Sequence, residues 1–480
     1  MHVLSILRRE FLGAAPDWYK AAILAALVLN PLLYFLVGPF WSGWVLVIEF
    51  LGVLMMSLAC YPLAPGGLLA LEAVLLGLAT PTGVYREVSA NFPVLLLLMF
   101  MVAGVYFLRD LIARGFIALV LGVRSRLRLA LAFLIAAAVL SAFLDALTVM
   151  AVIITVALGL YRTLDERLSG LDEKARADFR RWLAGLVMQA AVGTALGGVM
   201  TLVGEPQNLI IAKSGDWHFV GFFLHMAPVT LPVFAAGVLC CFAVEHRRWF
   251  GFGVSLPARA RAELEAMRAE TPPADLRTRV RLSAQAAIAV LLILALGFHV
   301  AEIGLIGLGV IVLAGALNGA RSEHDYAPAF LEALPFASLL VVFFAVVAVI
   351  ETQHLFTPIA GAVLSVHGSL LAPVFYLVNG ALSAVSDNVF VASVFLRQAE
   401  NALAAGHVSP DAFQHLLVAI NAGTNIPSVT TPNGQAAFLF LLASPLAPLL
   451  RLSYGRMMWM ALPYALVLTV VGLVCVWAFI

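Results

Sequence analysis

Two aspartates stand inside long apolar runs, and they are the side chains of this sequence best suited to binding a cation or a proton. Asp145 lies in LSAFLDALTV (140–149) and Asp387 lies in LSAVSDNVFV (382–391). A charged aspartate in the middle of a membrane costs about 2.5–3.5 kcal/mol on insertion scales, so it is retained where protein, water or an ion compensates it. The alternative role is helix capping, because an aspartate before a helix accepts backbone N–H bonds. The two roles are compatible, and we expect a functional one.

Each half of the chain also contains an apolar run interrupted by glycine and proline. The first reads GGVMTLVGEPQNLIIA (197–212) and the second reads NIPSVTTPNGQAAFLF (425–440). Such interruptions free backbone carbonyls and helix ends at membrane depth. Carboxylate, carbonyl, amide and hydroxyl oxygens suit a small hard cation, whereas imidazole or thiolate would indicate a transition metal. The neutral oxygens expected to complete these shells belong to Thr201, Asn208, Asn388, Thr431 and Asn433. The alternative is a pair of kinked helices whose polar residues only satisfy the backbone.

Glu205 lies inside the first interruption, where the matching position of the second half is the neutral Gln435. This asymmetry makes Glu205 a candidate third titratable group in the site. A carboxylate paired with a nearby lysine such as Lys213 is an equally good explanation. The sequence leaves the two open.

The elements that carry these residues must be membrane helices. Hydrophobic residues make up 63% of the 480 residues and charged residues 11%, far from the average of soluble domains. A formal net charge of +1 gives no reason to expect a nucleic-acid partner. The four cysteines have no metal-ligand spacing, and the sequence contains no G-x-S-x-G, GK[ST] or H-E-x-x-H motif. We therefore expect a multi-pass membrane protein that is not an enzyme and needs no cofactor.

An internal repeat relates the two halves. The two aspartates lie 242 positions apart (387 − 145), and the same offset pairs Pro93 with Pro335. Downstream, GTALGGVMTLVGE (193–205) matches GTNIPSVTTPNGQ (423–435) at an offset of 230 (423 − 193). Coincident Pro, Ser, Asp, Gly and Thr in one order are not expected by chance in so apolar a chain. The repeat predicts a duplicated transporter fold.

The fold class expected is an all-α, polytopic, inverted-repeat transporter with two re-entrant helical hairpins and two broken transmembrane helices. Its expected segments are a cytoplasmic N-terminal segment (1–20), scaffold spans (21–91), a first repeat (92–244) with hairpin 127–160 and broken helix 183–212, a cytoplasmic linker (245–281), further scaffold spans (282–334), a second repeat (335–444) with hairpin 370–396 and broken helix 412–444, and a C-terminal span (445–480).

Basic residues predict the orientation, because cytoplasmic loops are enriched in Lys and Arg. The loops at the mouth of the first hairpin are rich in arginine, whereas the corresponding loops of the second hairpin carry only Arg397. The first hairpin should therefore open to the cytoplasm and the second to the periplasm. Arg8, Arg9 and Lys20 place the N-terminus inside. The C-terminus is then expected outside.

The motifs resemble those of the ion-transporter superfamily over nearly the whole chain, and more narrowly those of the NhaB family of sodium/proton antiporters. The narrower resemblance rests on FLGAAPDWYK (11–20), LLLLMFMVAG (95–104), LSAFLDALTV (140–149), VGEPQNLIIAK (203–213), SDNVFV (386–391) and TPNGQAAFLFLL (431–442). Related dicarboxylate symporters carry Ser-Asn-Thr at both hairpin tips. This chain has Asp145-Ala146-Leu147 and Asp387-Asn388-Val389 instead. Two such carboxylates would repel a dicarboxylate and favour Na⁺ or H⁺.

The resemblance implies a secondary antiporter of the bacterial inner membrane that extrudes Na⁺ in exchange for H⁺ by alternating access. Na⁺ would bind in the region of Asp145 and Asp387, with Li⁺ left open as a second substrate. The superfamily resemblance also implies a homodimer in membrane lipid. The rival interpretation is a sodium-coupled symporter or exporter of organic or inorganic anions on the same scaffold, and an ion channel is the third.

Overall fold

The computed structural model describes residues 10–167, 173–270, 275–356, 358 and 368–480, and the regular structure of these residues is helical, without strands. In the first half the helices are α1 (Asp17–Leu36), α2 (Pro39–Met55), α3 (Leu63–Leu75), α4 (Pro81–Ala90), α5 (Phe92–Leu96), α6 (Val102–Tyr106), α7 (Arg109–Gly122), α8 (Arg126–Phe143), α9 (Ala146–Arg167), α10 (Glu173–Gly198), α11 (Pro206–Gly215) and α12 (Phe219–Arg247). A π-helical turn (Leu97–Met101) joins α5 to α6.

The second half repeats this helical character after the linker. Its helices are α13 (Ala258–Glu270), α14 (Leu276–Gly297), α15 (Ile303–Asn318), α16 (Glu323–Thr352), α17 (Leu371–Ser383), α18 (Asn388–Ala404), α19 (Pro410–Asn425), α20 (Ala436–Ala443), α21 (Leu446–Leu449) and α22 (Tyr454–Phe479). Helix α13 lies in the polar segment 245–281, which the sequence predicts to be the linker between the halves.

Seven helices of the described residues are long and apolar enough to cross a membrane, or eight if one bent pair counts as a single span. Four shorter apolar helices, α2, α3, α15 and α17, accompany them. Helices satisfy their own backbone hydrogen bonds, which lipid cannot do, so long apolar sequence takes this form. Large apolar side chains are exposed on the outside, for example Phe35 at 79% and Leu75 at 87%. The chain is a multi-pass helical membrane protein.

The apolar run 92–108 contains a helical segment, Phe92–Tyr106, that is bent away from the helix before it. Pro81–Ala90 and Phe92–Tyr106 meet at an angle of 61° around Asn91, and the π-helical turn lies in the second part. Both arms of the expected first hairpin, Arg126–Phe143 and Ala146–Leu164, are themselves long enough to cross a membrane. The two arms of the expected second hairpin, α17 and α18, are shorter, with 13 and 17 residues.

Helices α8 and α10 pack in backbone contact in the first half. A Cβ atom added at Gly193 would lie 2.2 Å from the carbonyl oxygen of Leu134, and one at Gly197 would lie 1.9 Å from that of Ala138. Only glycine allows the two backbones to approach this closely. The packing holds the run before the first break against the arm that leads to Asp145.

Helices α17 and α19 pack in the same way in the second half. A Cβ atom added at Gly423 would lie 2.6 Å from the carbonyl oxygen of Tyr376. Gly423 and Tyr376 are the repeat equivalents of Gly193 and Leu134 at the offsets of 230 and 242. At the next contact the glycine belongs to the other partner. In the first half Gly197 of α10 meets Ala138 of α8, whereas in the second half Gly380 of α17 meets Pro427, which follows α19.

Matched hydrogen bonds also join these helices in each half. The Ser141 hydroxyl donates to the Thr194 carbonyl at 2.9 Å, and the Ser383 hydroxyl donates to the Thr424 carbonyl at 3.0 Å. The donors differ by 242 positions and the acceptors by 230, as in the sequence repeat. Equivalent residues therefore make equivalent contacts in the two halves.

Candidate functional site

Asp145 lies between α8 and α9 and is almost fully buried, with 3% of its surface exposed. Its Oδ2 accepts a hydrogen bond from the backbone N–H of Thr148 at 3.1 Å. The residue thus caps the N-terminus of α9, where the helix dipole stabilises a negative charge. Asp145 therefore has the capping role that the sequence offered as the alternative to ion binding.

Asp387 caps α18 in the corresponding way but is only partly buried. Its Oδ1 accepts bonds from the N–H groups of Val389 at 2.8 Å and Phe390 at 3.2 Å. Both bonds end on the same oxygen, so Oδ2 is not used in the cap. A capping carboxylate can therefore still offer an oxygen to a cation. The adjacent Asn388 is buried, and its Oδ1 accepts from the Ser383 hydroxyl.

Glu205 precedes α11 and is 4% exposed. Its Oε1 has no hydrogen-bond partner among the described residues, and its side chain lies against Gly198. Glu205 is close enough to both Asp145 and Asp387 to interact electrostatically with each. This position favours the first of the two explanations left open by the sequence.

Lys213 does not pair with Glu205 in this structure. Its ammonium group donates to the backbone carbonyl of Ala90, on the helix α4. A buried polar atom without a partner carries a large desolvation penalty. Glu205 Oε1 is therefore an acceptor available to a proton or a cation.

Thr201 and Thr431 attach each break to the arm that carries the aspartate. The Thr201 hydroxyl donates to the carbonyl of Ala142, and the Thr431 hydroxyl donates to the carbonyl of Ala384. Each carbonyl belongs to the residue three positions before Asp145 or Asp387. Both threonines are buried next to the aspartate segments, at 4% and 8% exposure.

Two of the three asparagines expected to complete the oxygen shells, Asn208 and Asn433, have different surroundings. Asn208 is fully buried, and its amide donates to the carbonyls of Gly198 at 2.7 Å and Thr201 at 2.6 Å. Asn433 is partly exposed and donates to the carbonyl of Met55 at 3.0 Å, at the end of α2. Its Oδ1 is buried without a partner among the described residues. Asn208 therefore orders the first break, whereas Asn433 connects the second break to the N-terminal helices.

Besides Gln435, three buried amide residues at or beside the breaks were not identified as site candidates from the sequence. Gln207, Asn421 and Asn425 are at most 1% exposed. Gln207 Nε2 donates to Asn425 Oδ1 at 2.9 Å, so the amides join the two breaks directly. The sequence could have identified them, because NAGTN (421–425) and QN (207–208) place amide side chains in otherwise apolar runs.

The described part of the chain holds no group of three or more His, Cys, Asp or Glu side chains arranged around one metal position. Glu205 interacts electrostatically with Asp145 and with Asp387, but the three carboxyl groups belong to separate segments. The segment that carries each aspartate is bonded instead to a break that contains hydroxyl, amide and carbonyl groups. Such neutral oxygens around a single carboxylate suit a weakly bound monovalent cation that must also leave.

The whole chain, residues 1–480, matches the family model described as bacterial Na⁺/H⁺ antiporter B (NhaB). A protein of Serratia proteamaculans named Na⁺/H⁺ antiporter NhaB is 56% identical over 493 aligned positions, which cover 98% of this chain and 94% of the relative. Proteins with the same name from Pectobacterium atrosepticum and Klebsiella pneumoniae are 55% and 56% identical, with 98% of this chain covered and 93% and 94% of the relatives. The chain belongs to the NhaB family of bacterial Na⁺/H⁺ antiporters.

Proposed function

We propose that this protein extrudes Na⁺ across the bacterial inner membrane in exchange for H⁺. Membership of the NhaB family and the shared name of relatives that align over nearly their full length support this function. The observation that carries it within the chain is the pair of aspartates, each at the start of a helix and each beside a broken helix. Asp145 and Asp387 would bind either the cation or the proton.

The site proposed for the first half consists of Asp145 with Thr201 and Asn208, and Glu205 as a third titratable group. Thr201 is tied to the arm before Asp145, and Asn208 binds two carbonyls of the break. The site proposed for the second half consists of Asp387 with Asn388, Thr431 and Asn433. Carbonyl oxygens of the two breaks would supply the remaining ligands.

The two halves are proposed to form an inverted repeat with re-entrant hairpins at α8–α9 and α17–α18. Support comes from the matched contacts at offsets of 242 and 230 and from the loop charges. The orientation that follows has the N-terminus and the 245–281 linker in the cytoplasm. A homodimer and transport of Li⁺ beside Na⁺ belong to the same proposal.

Exchange then follows from competition. The carboxylate binds either H⁺ or Na⁺, but not both at once. The transporter therefore changes orientation with Na⁺ bound in one direction and with H⁺ bound in the other, and it does not change orientation with an empty site. Alternating access of the hairpin-containing bundle would expose the site to each side in turn. Proton binding on the acidic side displaces Na⁺, and Na⁺ binding on the other side displaces the proton.

Sodium-driven pH change in everted membrane vesicles tests the assignment. Asp145→Asn and Asp387→Asn keep the size of the side chain and remove its charge, so each should abolish exchange while protein accumulates normally. Asp411→Asn is the matched control, because Asp411 also lies in the first turn of a helix, α19, but is exposed. Wild-type exchange in both site variants would refute the assignment. Sodium-driven uptake of a labelled organic anion without proton movement would favour the symporter instead.

A further inference from the structure

Four buried amides connect the two broken helices. Gln207 and Asn208 come from the first half, and Asn421 and Asn425 come from the second. We refer to these four residues as the amide bridge. Three of them are 0% exposed and Asn425 is 1% exposed. Because these side chains are neutral, they can pass a movement of one break to the other through hydrogen bonds without adding a charge that would compete for the cation.

Asn425 is the centre of the bridge. Its Oδ1 accepts the 2.9 Å bond from Gln207, and its Nδ2 donates to the Asn421 carbonyl at 2.8 Å. The same Nδ2 is 3.4 Å from Asn208 Oδ1, on the other half. Asn421 adds a contact of 3.5 Å to the carbonyl of Val199. Both halves therefore meet at one side chain that uses its donor and its acceptor.

On the first side the hydrogen bonds continue from the bridge to the segment of Asp145. Asn208 donates to the carbonyl of Thr201, and the Thr201 hydroxyl donates to the carbonyl of Ala142. Ala142 belongs to the last turn of α8, directly before Asp145. A displacement of the first aspartate segment would move Thr201 and, through it, Asn208.

On the second side the bonds continue to the segment of Asp387. Gln435 donates to the Asn425 carbonyl and to the Ser428 hydroxyl, both at 2.8 Å. Close to this point the Gly434 N–H donates to Thr431, whose hydroxyl donates to the carbonyl of Ala384. The second aspartate segment is thus linked to the bridge through Thr431, Gly434 and the peptide bond from Gly434 to Gln435.

We propose that the amide bridge couples the two aspartate sites, so that occupation of one changes the affinity of the other for Na⁺. Asn425 is then a positioning residue and contacts no ion. Buried amides must keep their partners, so a break that rearranges around a cation imposes the same rearrangement on the facing break. The inference rests on the proposed function, because it requires Asp145 and Asp387 to be the two sites.

The sodium dependence of antiport by the purified protein in liposomes, followed with an internal pH probe, tests the coupling. The wild type should show a Hill coefficient above 1 for Na⁺. Asn425→Ala and Gln207→Ala should retain antiport but reduce the coefficient to 1. Since each variant removes the 2.9 Å bond between the two halves, the double variant should show the same coefficient as either single variant.

Asn379→Ala is the matched control, because Asn379 is also a fully buried asparagine of the second half. Its amide donates only within its own helix, to the carbonyl of Phe375 at 2.8 Å. It should keep the wild-type coefficient. Gln207→Ala breaks the bridge from the other half, so the test does not depend on the folding of one variant.

A wild-type coefficient of 1, or an unchanged coefficient in both bridge variants, would overturn the coupling. Loss of coupling in Asn379→Ala as well would also overturn it, because any buried amide would then have the same effect. The underlying two-site assignment fails separately, if Asp145→Asn and Asp387→Asn retain exchange. The two proposals can therefore be rejected independently.

Discussion

Asp145 and Asp387 combine two roles that are often treated as alternatives. Each accepts backbone N–H bonds at the start of a helix, and each lies beside a break rich in neutral oxygens. At Asp387 one oxygen takes both capping bonds, which leaves the other for a ligand. A cap that fixes the carboxylate also orients it for binding, so structural and functional roles reinforce each other.

Neutralising Glu205 should weaken Na⁺ binding without abolishing exchange. Glu205→Gln removes a buried ionisable carboxyl group and makes the position identical to Gln435. We expect the half-saturating Na⁺ concentration to rise about tenfold, which corresponds to about 1.4 kcal/mol of lost attraction. The initial rate of sodium-driven proton movement measured over a range of Na⁺ concentrations provides the check.

Glu302→Gln supplies the control for this variant. Glu302 also precedes a helix, α15, and its side chain makes no capping bond there, but it is exposed. Its half-saturating Na⁺ concentration should equal that of the wild type. An unchanged value in Glu205→Gln would mean that this carboxylate does not contribute to cation binding.

At the scale of elements, the decisive feature is the close packing of each broken helix on the arm that leads to an aspartate. Helix α10 packs on α8 and helix α19 packs on α17, with glycine at the contact in both. The distance between the packed helices is set by contacts of backbone atoms, and these contacts cannot be relieved by a change of side-chain rotamer. The breaks are therefore held at a constant distance from the aspartate segments.

Adding one methyl group at either contact should disrupt the fold. Gly193→Ala and Gly423→Ala place Cβ atoms 2.2 Å and 2.6 Å from carbonyl oxygens of the facing helix. The helices would have to separate, at a cost of at least about 1–3 kcal/mol, the usual range for overpacking. The melting temperature in detergent and the yield of monodisperse protein should both fall.

Gly159→Ala is the comparison for these two variants. A Cβ atom at Gly159, in α9, meets nothing within 4 Å, and alanine favours a helix over glycine by about 1 kcal/mol. Its melting temperature should be equal to or above that of the wild type. If Gly193→Ala and Gly423→Ala melted like Gly159→Ala, the close approach of the helices would be contradicted.

At the scale of the whole molecule, an ion pair connects residues 310 positions apart. The Arg397 guanidinium binds both oxygens of Glu87 at 2.9 Å, which joins α18 to α4. Arg397 also contacts Glu400 at 3.2 Å. The Glu87 side chain is only 11% exposed, so the pair is largely shielded from water. It links the arm after Asp387 to the N-terminal helices.

Removing the arginine should destabilise the protein more than removing an exposed one. Arg397→Gln leaves Glu87 with a shielded, unpaired charge, at an expected cost of about 1–3 kcal/mol. Arg181→Gln is the control, because the Arg181–Asp178 pair at 3.5 Å is exposed and should contribute less than about 1 kcal/mol. Thermal unfolding in detergent separates the two, and equal melting temperatures would contradict the role of the pair.

Much of the helical architecture is predictable because it depends on local sequence. Apolar runs predict the membrane helices, and glycine with proline predicts both breaks, at 199–205 and 426–435. The run 92–108 is helical from Phe92 to Tyr106 with a π-helical turn inside it, and it meets the preceding helix Pro81–Ala90 at 61° across Asn91, a bend that the sequence did not predict. The site residues could be named individually, since aspartate, threonine and asparagine are conspicuous in apolar runs. Which of these side chains contact one another could not be predicted from the sequence.

The sequence by itself determined that this chain lies in a membrane, that similar motifs recur in its two halves, and that its two aspartates begin helices. Hydropathy, repeated motifs and capping all act over short stretches of chain. Only the tertiary structure decided that Glu205 lies near both aspartates and that Gln207 meets Asn425, 218 positions away. Those contacts depend on how two broken helices pack, which is a property of the assembled core and of no single segment.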